Sequence, residues 1–201
     1  MVPVAGPLLA WSPDHYCGSL SAAPCGLQAK GEYVLKITKT TQPAGGPADK
    51  PRLVDPVVAG LNVPVYYMTS DRGPVPSMRG IVCTRAFAET VLTQLEEFAR
   101  KYGFGLVHIG VYVARKARHA DGTPIVPVRW SNHSFGEAID FKGIITQHGE
   151  GDLLTVPQME TGCPAKLKEL LDKCRSAING IGRRPEIVDD GGWYHLGIHR
   201  S

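Results

Sequence analysis

Two stretches of helical periodicity, separated by paired runs of strand character, constrain the fold more than any other feature. Between 85 and 102, Leu92, Leu95, Phe98, Ala99 and Tyr102 recur on one helix face. Thr84 supplies an N-cap and Gly103 a stop. Between 164 and 179 a second stripe runs through Leu167, Leu170, Leu171, Cys174 and Ile178, with Pro164 suited to the first turn. Such stripes are packing surfaces. LVHIGVYV at 106–113 puts Val107, Ile109, Val111 and Val113 on one side of a strand, and further strands are expected at 138–141, 186–188 and 193–198. The elements do not alternate as βαβ units. The fold expected is therefore α+β, a small, mainly antiparallel sheet with helices packed on it.

The first 80 residues read differently. Short β-like runs at 32–37 and 63–68 alternate with Pro/Gly-rich connectors such as QPAGGPADKP, which predicts an irregular N-terminal lobe over 1–80 before the main domain at 81–201. With 43% hydrophobic and 20% charged residues, the chain has enough apolar surface to fold and is far from a disordered composition. A net charge of +3 is too small for a nucleic-acid-binding surface, which argues against a nuclease or phosphodiesterase. No apolar run approaches the roughly 18 residues of a membrane span. The start, MVPVAGPLLAWSPD, lacks the basic flank and long apolar stretch of a signal peptide.

Five cysteines with no CxxC pair argue against a cysteine metal site. Cys17 and Cys25 flank a short loop and are either a small disulfide in an oxidising compartment or two reduced thiols. Cys163 and Cys174 bracket the second helix, whose rise sets them roughly 16 Å apart, too far to bond. Cys83 completes the set, so at least one thiol is free or externally paired.

The stretch that carries chemistry is SNHSFGEAIDF at 131–141. A turn at Gly136 lets His133 and Asp140 approach one point from two short segments, and imidazole and carboxylate are ordinary zinc donors. The pattern SxHxxGxAxD, at Ser131, His133, Gly136, Ala138 and Asp140, resembles the zinc signature of the D-alanyl-D-alanine carboxypeptidase and endolysin-type metallopeptidases, a group that includes extensin-like C-terminal domains. The resemblance covers about residues 85–199. It implies a third ligand on a late strand beside an aromatic residue, which GGWYHLGI supplies as His195. It also implies an Arg after the strand preceding the first motif; Arg115 fits, with Arg118 the alternative. Such a guanidinium would grip a substrate carboxylate or steady an oxyanion.

The implied activity is zinc-dependent hydrolysis of peptide bonds in bacterial peptidoglycan, as a carboxypeptidase or an endopeptidase. The implied partner is a stem peptide or cross-bridge, bound by a monomer working in the periplasm or cell wall. With no visible signal peptide, delivery falls to a secretion system, to phage lysis, or to a leader already removed. The sequence departs from the family where the general base belongs: Gly192 stands three residues before His195. Asp190 is the first substitute, with Asp189, Glu186 and Glu137 behind it. The position two before the last ligand, often His in relatives, is Trp193, which with Ser131 is read as substrate-binding. An inert zinc-containing wall-binding module is the alternative function. Of Trp193 and Tyr194, one faces the cleft and the other the core, because strand neighbours point to opposite sides. His108 reads as a structural histidine, His199 as solvated, and His15, His119 and His148 as loop residues without ligand partners.

Overall fold

A computed structural model describes residues 35–43, 46–69, 72–77, 79–103, 105–119, 121–145 and 153–200. Cys17, Cys25, His15 and His148 lie outside the described residues. In chain order the strands are β1 (Lys36–Lys39), β2 (Pro56–Gly60), β3 (Val65–Thr69), β4 (Arg72–Pro76) and β5 (Ile81–Thr84). One helical run, α1, comprises Arg85–Phe87, a wider π turn at Ala88–Leu92, and Thr93–Tyr102. There follow β6 (Gly105–Gly110), a 3-10 turn at Asn132–Phe135, β7 (Ala138–Ile145), β8 (Leu153–Thr155), α2 (Val156–Gly162), α3 (Pro164–Gly180), β9 (Arg184–Asp189) and β10 (Tyr194–His199).

The fold is α+β. Seven strands form a sheet in the order β4-β3-β6-β7-β10-β9, with β8 paired to β7; only the β3–β6 pair is parallel. A second sheet has the order β1-β2-β5. Residues from the first 80 thus supply β3 and β4 to the main sheet, and Leu35, Val57 and Ala59 to the same apolar core as the helices.

Alternation along β7 and β10 separates core from site. Ile139, Phe141, Leu196 and Ile198 are fully buried in the core with Leu92, Leu95 and Leu170 of the helices. Asp140, between Ile139 and Phe141, and His195, next to Leu196, project from the other face of the sheet. Each fully buried Leu or Ile contributes about 1.5–3 kcal/mol. The helices therefore hold the back of the sheet, and the front is free for chemistry.

The expected helices form with their expected ends: the Thr84 hydroxyl accepts the Phe87 amide at 3.3 Å, and Gly103 ends α1. Cys163 and Cys174 form no disulfide with each other. The expected strand at 106–113 needs correction. It ends at Gly110, and Gly105 to His108 are buried on both faces, so the period-two face through Val111 and Val113 does not exist. A strand covered on both sides has no polar face to alternate with. The strand expected at 138–141 continues to Ile145.

Gly136 closes the 3-10 turn in the left-handed region, at φ 65°. A Cβ there would meet Leu53 Cδ2 at 2.6 Å and Cys83 Cα at 3.0 Å, so the small sheet packs directly under the ligand turn. Gly136→Ala combines an unfavourable φ with overpacking and is expected to destabilise the fold by about 2–4 kcal/mol. Thermal unfolding would then show a Tm lowered by roughly 5–15 °C; an unchanged Tm would mean the turn can be rebuilt.

Candidate metal centre

The three donors read from the sequence come together. His133 sits in the 3-10 turn, Asp140 on β7, and His195 on β10 directly opposite Asp140 in the strand register. One donor atom from each lies within 4.8 Å of the others. Asp140 Oδ1 is 3.1 Å from His133 Nε2 and 3.0 Å from His195 Nδ1. His133 and Asp140 are buried, and His195 is partly exposed toward the cleft.

Local backbone sets this geometry. The His133 Nδ1–H donates to the Val111 carbonyl at 2.7 Å, which fixes the ring and turns Nε2 inward. This bond explains why β6 stops at Gly110: the chain must bend there for Val111 to reach the ring. A Cβ on Gly110 would lie 2.8 Å from Asp140 Oδ2, so only glycine leaves the carboxylate its place. Gly197 likewise makes room for His195, whose Nε2 would be 3.1 Å from an added Cβ.

Burial alone would raise the Asp140 pKa. Hydrogen bonds from His133 and His195, together with their charge, outweigh it and hold the carboxyl well below the usual range. Both His133 ring nitrogens face oxygen acceptors. With Nδ1 held by the Val111 carbonyl, Nε2 is the nitrogen left to serve as a metal donor beside Asp140. Two imidazoles and one carboxylate are donors that could hold a metal ion, and the cleft is open beside them.

The cleft has a volume of about 470 Å3. Glu186 and Val188 of β9 line it on the strand face that His195 shares, since Val188 pairs with His195, and Asp190, just past the end of β9, lines it too. Asp189 points away and accepts the Gly191 amide at 2.7 Å. Gly191, at φ 74°, bends the chain so that the Asp190 amide bonds the Trp193 carbonyl at 3.1 Å. The Asp190 carboxyl is pushed above its ordinary value, chiefly by burial and further by the charges of Asp140 and Asp189, against the pull of His195. Glu186 accepts the Asn132 amide at 2.6 Å. Glu137 is excluded from the cleft: it is buried and ion-paired with Arg200 at 2.6 Å and Arg183 at 3.7 Å.

Trp193 lines the cleft, whereas Tyr194 turns toward the core and bonds Glu160 at 3.0 Å. A side chain at 192 would begin 3.4 Å from the Lys142 ammonium, which donates to the Gly192 carbonyl at 2.7 Å. Arg115, Arg118 and Ser131 all line the cleft, so the structure brings both arginine alternatives to it. His199 does not line it, and His119, read from the sequence as a loop residue, does, on a ribbon of paired backbone. His108 is buried against Tyr67, and its Nδ1 has no hydrogen-bond partner in the described structure; burial lowers its pKa to about 4.

Compared with known proteins, the chain matches no family model, no curated protein and no solved structure. Among the described residues no helix is long and apolar enough to cross a membrane.

Gly110→Ala is expected to displace the Asp140 carboxylate and lower zinc affinity about 10–100-fold, the range seen when groups supporting a ligand are lost. Competition against a zinc-binding dye measures it; wild-type affinity in the variant would mean that the glycine has no part in placing the ligand.

Proposed function

We propose that the chain is a zinc-dependent peptidase acting on bacterial cell-wall peptides. The single observation that carries this reading is the meeting of His133, Asp140 and His195 at one point, at the floor of an open cleft with a carboxylate on its wall. The spacing of the Ser131-to-Asp140 motif supports the substrate class through its resemblance to peptidoglycan peptidases. His133, Asp140 and His195 would hold the zinc, which when bound would supply Lewis-acid polarisation of a carbonyl and bring the pKa of a water toward roughly 7.

The protein's own groups do the rest. Asp190, flanking His195, takes up the proton of the attacking water and is the general base in place of a residue at 192. Its raised pKa moves it toward the operating range of such a base. Arg115 holds a substrate carboxylate or the developing oxyanion, Ser131 offers a hydroxyl to the peptide, and Trp193 forms one wall.

The alternative of an inert wall-binding module rests on Gly192, and the presence of Asp190 in the cleft weighs against it. Zinc-loaded protein incubated with purified muropeptides should give products identifiable by mass spectrometry and none after chelation. Fragments that bind but stay intact, with zinc retained, would favour the module.

A further inference from the structure

The ribbon over 115–131 brings more positive charge to the cleft than one substrate carboxylate requires. Its strands pair through Ser131 N to Arg115 O at 3.1 Å and Ala117 N to Arg129 O at 2.8 Å, so Arg115 and Arg129 are diagonal neighbours on one face. Beyond this pairing the register shifts, and Arg118 itself bridges Pro124. All three line the cleft, and among the described residues none of the three guanidinium groups has an ion-pair partner. Lys116, which does not line the cleft, differs. Lys116 is paired with Asp49 at 3.2 Å and sits 3.5 Å over the Trp130 ring. The lysine off the cleft is compensated, and the three arginines that line it are not paired among the described residues.

Like charges gathered in a cleft repel, and the repulsion is relieved when an anion enters. The facing wall carries the opposite sign, with Glu186 and Asp190, so a bound peptide is oriented with its carboxylates toward the ribbon. We propose that Arg118 and Arg129 form a second anion subsite, distinct from the carboxylate that Arg115 holds, which selects an acidic peptide bearing a side-chain carboxylate next to the bond to be cut. This rests on reading the cleft as a peptidase site.

The probes are two acetylated tripeptides ending in D-alanine, with glutamate or glutamine in the middle position. Zinc-loaded protein is mixed with each, and binding is read from tryptophan fluorescence. The glutamate peptide should bind about five- to tenfold more tightly at low salt, the size of one or two partly exposed charge-assisted contacts. That preference should shrink as salt is raised. In the double variant Arg118→Gln, Arg129→Gln the ratio should fall to about one, and Arg129→Glu should turn preference toward a peptide with lysine in the middle.

Equal binding of the two peptides, no binding of either at millimolar concentration, or a preference that survives the double substitution would overturn the proposal. A preferred peptide that is never cut would stand against the peptidase reading and leave the subsite in place. A peptide cut without preference would do the reverse.

Discussion

Asp140→Asn is expected to abolish hydrolysis and to cut zinc affinity by about a hundredfold or more. Zinc bound by four ligands gains about 10–16 kcal/mol in small domains, or about 3 kcal/mol per ligand. The substitution keeps the size of the side chain and removes the charge that both imidazoles address at 3.1 and 3.0 Å. Because the shape is kept, the fold should survive. Circular dichroism and gel filtration would show a native protein, while calorimetric titration with zinc shows the loss. A variant that holds zinc as tightly as the wild type would show that Asp140 is not a ligand.

The second large effect belongs to Asp190→Asn. Removal of a general base lowers rates by about 10²–10⁴-fold. Since Asp190 is not among the three metal donors, zinc should remain bound at one ion per chain. The combination of lost turnover and retained metal separates a base from a ligand. The pH profile gives an independent check. Asp190 works only when ionised, and its pKa is raised by burial, so activity should fall as pH drops through a value above the ordinary aspartate range of about 4. An acid limb unchanged in residual activity of the variant, or a rate equal to that of wild type, would move the role to Glu186, the other carboxylate that lines the cleft without being a metal donor.

Much of the centre was legible because it depends on local spacing. His133 and Asp140 lie on either side of a turn whose glycine is visible in the chain, and the two helices announce themselves by periodicity. Strand parity allowed one of Trp193 and Tyr194 to face the cleft, and the structure assigns Trp193. What could not be read depends on tertiary approach. Val107 to Val113 look like one amphipathic strand, yet β6 is covered on both faces and ends at Gly110, where Asp140 presses against the backbone and Val111 turns to bond His133. Glu137 and Asp190 are equally acidic in sequence. Their fates differ because one meets Arg200 and Arg183 behind the turn and the other follows the Gly191 bend into the cleft. Arg129 lies 14 positions from Arg115, and only ribbon pairing makes the two neighbours.

The most direct test is the metal content of the purified protein after equilibration with zinc and gel filtration, measured by inductively coupled plasma mass spectrometry. One zinc per chain in the wild type, and substoichiometric zinc in His133→Ala, Asp140→Asn and His195→Ala, is the result predicted. A folded wild type that carries none and takes up none would contradict the account.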